Sequence, residues 1–169
     1  VLGRSFRTEV LNETLRGDDL VVDASTIARL DGFLERDGEG YVTDSVRPAV
    51  LVIRPGATAA VPLRLPVLGQ PTGVAFDRVT GRLYVVDTTA HRIAVFNPDG
   101  TLQASIGERG DGDGEFNYPT YIWRDARGRL YVTDSLNFRI QIFDGEGRFL
   151  AKFGKAGDGT GDFMRQKGV

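Results

Sequence analysis

No cysteine occurs in the 169 residues, and histidine, methionine and tryptophan appear once each. Without cysteine there is no disulfide, no zinc–thiolate site and no thiol nucleophile. The one imidazole, His91, cannot build a histidine-rich metal centre or a histidine dyad within a single chain. No apolar run approaches the roughly 18–20 residues that cross a bilayer. Neither sign of charge dominates. Twenty-one basic residues against 23 acidic ones leave a net charge of −2, so no polyanion-binding surface is written into the totals. The sequence opens on Val1 with no signal-like apolar stretch behind it, which points to a processed or cut end.

Glycine, by contrast, is plentiful: 22 residues with no collagen-like period, which implies many turns. Their spacing reflects an internal repeat. Gly81-Arg82-Leu83-Tyr84-Val85-Val86-Asp87 returns as Gly128-Arg129-Leu130-Tyr131-Val132-Thr133-Asp134, an offset of 47 residues. Held without gaps from Gly81–Tyr118 onto Gly128–Arg165, that offset gives 17 identities in 38 positions. Pro71 and Pro119 open the two units. A weaker copy lies upstream in Tyr41-Val42-Thr43-Asp44-Ser45 and Val50-Leu51-Val52-Ile53, and a fourth begins at Gln166-Lys167-Gly168-Val169.

Each full unit reads as four short strands. In the first they are 73–76, 83–86, 92–96 and 102–106, separated by turn chemistry such as Asn97-Pro98-Asp99-Gly100 and Asp144-Gly145-Glu146-Gly147. The second strands are apolar at successive positions, as in a sheet covered on both faces. A four-stranded antiparallel sheet covered on both sides and repeated every 47 residues fits the blades of an all-β propeller, and suits a solenoid poorly.

The wording of the repeat resembles the NHL family: Pro-x-Gly-Val-Ala, then Leu-Tyr-Val-x-Asp-(Ser/Thr), then Arg-Ile-x-(Val/Ile)-Phe, then a Gly-rich link ending in Phe. The best match is Asp134-Ser135-Leu136-Asn137-Phe138-Arg139-Ile140-Gln141-Ile142-Phe143. The resemblance is strong over 71–169, moderate over 30–70 and absent before that. It implies a ring of about six blades, of which this sequence supplies about three and a half. The expected division is an extension over 1–29 and blades at about 30–70, 71–118 and 119–165, with another starting at 166. Phe6, Val10, Leu11 and Leu15 share one helical face, so residues 4–16 are expected to form a short N-terminal helix, followed by a strand at 20–22. A ring left open would expose an apolar blade face. Self-association, another chain or the rest of a longer parent polypeptide is therefore expected to complete it.

Antiparallel topology sends the second-to-third turn of a blade and the link to the next blade to the same end. Thr88–His91, Ser135–Phe138 and the links 107–118 and 154–165 should form one loop face, the usual place for a ligand. Asp87 and Asp134 recur, with Asp44, so they read as framework carboxylates accepting N–H bonds in the turn that follows; Arg92 and Arg139 read as framework by the same logic. The alternating carboxylates Asp111, Asp113 and Glu115 are a Ca²⁺ candidate. The second copy keeps the glycines but has Thr160 in place of Asp113, which favours a blade-linking loop and no cofactor. His91 corresponds to Phe138, so it reads as a partly exposed loop residue and not as a catalytic base. Phe116 and Phe163 recur and read as core plugs. Tyr118 and Tyr121 do not recur as aromatics and, with His91, Asn137 and Phe138, are the candidates for touching a ligand.

These features lead to an NHL-type binding or scaffold module that recognises a protein, peptide or glycan through its loop face, without catalysis. The alternative is a metal-dependent hydrolase or lyase with its site in the central channel. Relatives of the lyase type need several histidines where this chain has one. Relatives that bind RNA use a basic face, whereas these links carry Asp111, Asp113, Glu115, Asp158 and Asp162, which repel phosphate; no nucleic-acid partner is expected. Resembling bacterial chains are often exported, so an extracytoplasmic (periplasmic or secreted) location is the expectation.

Overall fold

The computed structural model describes residues 30–36, residues 39–157 apart from 47, 56, 58, 64 and 67, and residue 163. The helix expected at 4–16, the strand at 20–22, the whole extension 1–29, residues 158–162 and the copy starting at 166 lie outside the described residues.

Twelve strands are described. Blade 1 holds β1 (Leu30–Arg36), β2 (Glu39–Asp44), β3 (Ala49–Ile53) and β4 (Ala60–Pro62). Blade 2 holds β5 (Pro71–Phe76), β6 (Leu83–Asp87), β7 (Arg92–Phe96) and β8 (Leu102–Ile106). Blade 3 holds β9 (Pro119–Arg124), β10 (Leu130–Asp134), β11 (Arg139–Phe143) and β12 (Phe149–Phe153). Each blade is a four-stranded antiparallel meander in chain order, and β1, β5 and β9 lie side by side as the inner strands of successive blades. This is the all-β propeller architecture.

The continuous apolar character of the second strands follows from that stacking. In β6, Leu83 and Val85 pack with Tyr41, Val50 and Val52 of blade 1, while Tyr84 and Val86 pack with Leu130, Val132, Phe143 and Ile122 of blade 3. Alternate side chains serve two different seams, so no face of the strand is left for polar residues. Phe116, fully buried in the link between blades 2 and 3, plugs the second seam 5.5 Å from the Phe143 ring. The inner strands come so close that a Cβ on Gly73 would lie 2.8 Å from the Thr120 carbonyl oxygen.

The ends opposite the loop face are tied by aspartates. Asp77, Asp125 and Asp144 each accept backbone N–H groups two or more residues ahead, and Gly100 and Gly147 take left-handed φ values of 84° and 85° that close the outer hairpins. Across the second seam the Tyr84 hydroxyl donates to Gly145 O at 3.0 Å, and Arg124 pairs with Asp77 at 3.1 Å. Burial pushes the Tyr84 phenol above its usual pKa.

Candidate functional site: the loop end of blades 2 and 3

After β6 and β10 the chain makes a single 3₁₀ turn, Thr88–Ala90 and Ser135–Asn137, and leaves each through a left-handed residue, His91 and Phe138, both at φ 54°. Tyr118 at φ 52° completes the set of non-glycine residues with positive φ among those described, and all three sit at this end. A left-handed backbone on such residues costs about 1–2 kcal/mol, so neighbouring contacts must hold it.

His91 is one of those contacts. It is buried, 7% exposed, and not a partly exposed loop residue, because its ring tucks under the link before β9. Its Nδ1 accepts the Tyr118 N–H at 3.2 Å, and the two rings meet edge-on at 4.7 Å. Tyr118 itself is 41% exposed.

Asp87 and Asp134 differ from expectation in direction. Asp44 does accept from the following turn, through Val46 N–H at 3.0 Å. Asp87 instead accepts from Gly69 and Gln70 at 2.9 Å each, and Asp134 from Asn117 at 2.7 Å, all in the link that precedes the blade. The carboxylates therefore fasten one blade to the next. The 3₁₀ turns that follow them have no side-chain cap.

Around Asp134 the fastening becomes a clamp. Its Oδ2 accepts Arg139 Nε at 2.7 Å, Asn137 Nδ2 at 2.9 Å and Gln141 Nε2 at 3.1 Å. The remaining Arg139 nitrogens donate to the carbonyls of Asp111, Gly112 and Glu115, and Gln141 donates to Glu115 O while accepting Gly114 N–H. Asn137 also reaches Gly110 O at 2.8 Å. The Gly-rich loop is thus wrapped around a guanidinium.

That geometry bears on the Ca²⁺ candidate. The three carboxylates do not converge: Glu115 turns back onto Gly112 N–H at 2.8 Å, Asp113 reaches out to Lys152 Nζ at 2.5 Å, and Asp111 is exposed. The loop carbonyls that could have joined them are taken by Arg139. Among the described residues no group of three or more His, Asp or Glu side chains is placed to hold a metal.

Tyr121 lies away from this cluster, half-buried on β9 at the place Gly73 holds on β5. Phe116 and Phe163 part company: Phe116 is fully buried, whereas Phe163 is half-buried against Phe153 at 6.2 Å. The sequence reading missed Gln141, whose one signal was a glutamine where the previous copy has Ala94. It also missed two hydroxyl pairs, Thr72 with Thr88 and Thr120 with Ser135, each joining an inner strand to the 3₁₀ turn of its own blade, which the recurring Pro-Thr and Asp-(Thr/Ser) pairs could have revealed.

Stacked four-stranded meanders with inner strands side by side define a β-propeller. Residues 68–96 match the NHL repeat, and residues 124–168 match a family described as a 6-bladed beta-propeller. The chain therefore carries an NHL repeat within a β-propeller fold. Among solved structures it resembles one described as a nidogen/laminin complex, at 26% identity and TM-score 0.58, over 73% of this chain and 48% of that one. It also resembles a streptogramin B lyase, at 15% identity and TM-score 0.62, over 79% and 43% of the two chains. A virginiamycin B lyase from Staphylococcus aureus, solved in an inactive form with quinupristin, matches at 20% identity and TM-score 0.59, over 75% and 41%. The chain thus spans less than half the length of each of these structures. No curated protein matches. Among the described residues no helix is long and apolar enough to cross a membrane.

Proposed function

We propose that the chain is a non-catalytic binding or scaffold module, which recognises a protein, peptide or glycan through the loop end of blades 2 and 3. The observation that carries this reading is the division of labour at that end. Asp87, Asp134, Asp113, Glu115, Arg92 and Arg139 are all engaged in bonds within the chain. Tyr118, held by His91 at its backbone and its ring, projects an aromatic surface to solvent. A pre-positioned tyrosine loses little conformational freedom on binding and suits recognition of another chain. The nidogen/laminin likeness is in keeping with protein binding. The lyase likenesses, at 20% identity or less, carry the fold and no chemistry.

Selection of a random peptide library on the immobilised chain tests the reading, with Tyr118→Ala as the counter-screen. Enriched peptides should lose about tenfold or more in affinity for the Tyr118 variant. Peptides indifferent to Tyr118, together with a Ca²⁺-induced rise in melting temperature abolished by Asp111→Ala, would sink it in favour of a metal site. The same reading places the module outside the cytoplasm, because resembling bacterial chains are often exported; fractionation of a tagged copy checks this.

A further inference from the structure

The two seams close differently at the end opposite the loop face. The second, between blades 2 and 3, is tied shut. Arg82 pairs with Glu146 at 2.9 Å, the Tyr84 hydroxyl donates to Gly145 O, and the Phe149 ring meets Phe143 edge-on with centres 6.0 Å apart. Strand register gives each of these residues a counterpart at the first seam, between blades 1 and 2. Glu39 and Tyr41 stand for Arg82 and Tyr84, while Pro98, Asp99 and Leu102 stand for Gly145, Glu146 and Phe149. An arginine–glutamate tie thus becomes two carboxylates, and a packed phenylalanine becomes a leucine that is 42% exposed.

The first seam stays open there as a cleft of about 230 Å³. Tyr41, Leu63, Leu65, Phe76 and Phe96 wall it, and the 97–100 hairpin forms its rim. Tyr41 and Phe76 stack with ring centres 6.2 Å apart, and the Tyr41 hydroxyl donates to Glu39 Oε2 at 2.8 Å. Clefts for drug-sized ligands run to roughly 300–1,000 Å³, so this one suits a single ring with a short arm. Glu39 on blade 1 and Asp99 on blade 2 make the mouth acidic. Arg54, its side chain 60% exposed, stands 3.6 Å from Glu39. No cation among the described residues pairs with Asp99, whose two bonds from Thr101 both fall on Oδ1 and leave Oδ2 without a donor.

We propose that this cleft binds a small arylalkylammonium ion, one aromatic ring on a short chain that ends in a primary amine. The ring lies among Tyr41, Phe76 and Phe96, as Phe149 lies against Phe143 at the second seam. The ammonium brings the charge that Arg82 brings there, and donates to Asp99 Oδ2 at the rim. Burial of the ring is the main attraction, and the exposed ion pair adds selectivity for a cation over a neutral molecule of the same shape. The cleft lies at the opposite end of the blades from Tyr118, so it stands independently of the function proposed for that end.

NMR titration of the chain with phenethylammonium, to about 10 mM, tests this against 2-phenylethanol as the neutral counterpart. Phenethylammonium should shift the Leu63 and Leu65 methyl and the Phe76 ring resonances and leave those of Tyr118 in place. It should bind about fivefold more tightly than the alcohol. In Asp99→Asn the two affinities should come within about twofold of each other. Equal binding of amine and alcohol by the unaltered chain overturns the assignment, as do shifts centred elsewhere, no shift at all, or a preference that survives Asp99→Asn. Should that substitution disturb the hairpin, added salt decides. An amine affinity that falls toward the alcohol's between about 0.02 and 0.5 M salt supports the ion pair, and one that stays constant refutes it.

Discussion

Two corners of the molecule occupy the same place in the repeat and are built differently. At the corner of blade 2, Asp87 accepts two link N–H groups, but Arg92 stands 3.4 Å from its carboxylate, is 27% exposed, and leaves a buried Nε with no partner. At the corner of blade 3, Arg139 makes four short bonds, is 7% exposed, and lies against an Asp134 with no exposure at all. What separates them is the link in front. The one before blade 3 is the Gly-rich loop whose carbonyls turn inward onto the guanidinium, and Gln141 braces it; the link before blade 2 has no such glycine series, and Ala94 stands where Gln141 does. One Asp–Arg pair is thus a buried clamp or a half-solvated contact according to what the neighbouring segment offers.

Removing the two arginines should break the comparison most sharply. Arg139→Met leaves Asp134 buried without its cation and should cost about 3–5 kcal/mol in denaturant unfolding. Arg92→Met, at the equivalent place, should cost clearly less, because Arg92 is 27% exposed and Asp87 keeps its two link N–H bonds. Equal losses would mean that the loop carbonyls around Arg139 add nothing to its pair with Asp134. Next in size, Gln141→Leu strips the bonds to Glu115 O and Gly114 N–H while keeping the volume. A loss of about 1–3 kcal/mol is expected, with faster proteolysis of the 107–116 loop as its local signature. The smallest effect sharpens the contrast between the loop end and the opposite end. There, backbone N–H groups and Arg148 hold Asp144 below the ordinary carboxylate value. At Asp77 burial pushes up, but N–H groups, Thr80 and Arg124 outweigh it and the shift is again downward. A folded-state value below the unfolded one means that the unfolded chain binds more protons in acid. The stabilisation is complete above the ordinary value of 3.8 and is lost as pH falls through the lower folded values. Urea midpoints should be flat from pH 7 to about 5 and decline below about 4. In Asp77→Asn that decline should be shallower; an unchanged slope would show that Asp77 adds nothing to it.

The repeat made the fold legible. Period, Gly-terminated hairpins and doubly apolar second strands were enough to set four strands per blade, since each is a local consequence of residue order. The candidate site was legible only in part. Tyr118 stands out because it fails to recur as an aromatic, and it is exposed beside His91. The burial of His91 was invisible, because a loop imidazole is covered only when a link 27 residues away in sequence folds over it. The backward-facing bonds of Asp87 and Asp134 were hidden for the same reason: a carboxylate that could bond its own turn found stronger partners in a different segment.

By itself, then, the sequence determined the blade, its strand order, its turns and the resemblance to NHL repeats, because hairpin register and alternating burial are short-range. Only the tertiary structure decided which carboxylates bind which link and which arginine is buried. It also decided that the Gly-rich carbonyls close on a guanidinium. Those outcomes depend on the distance between segments that the chain order does not specify, and the stacking of one blade on the next sets that distance.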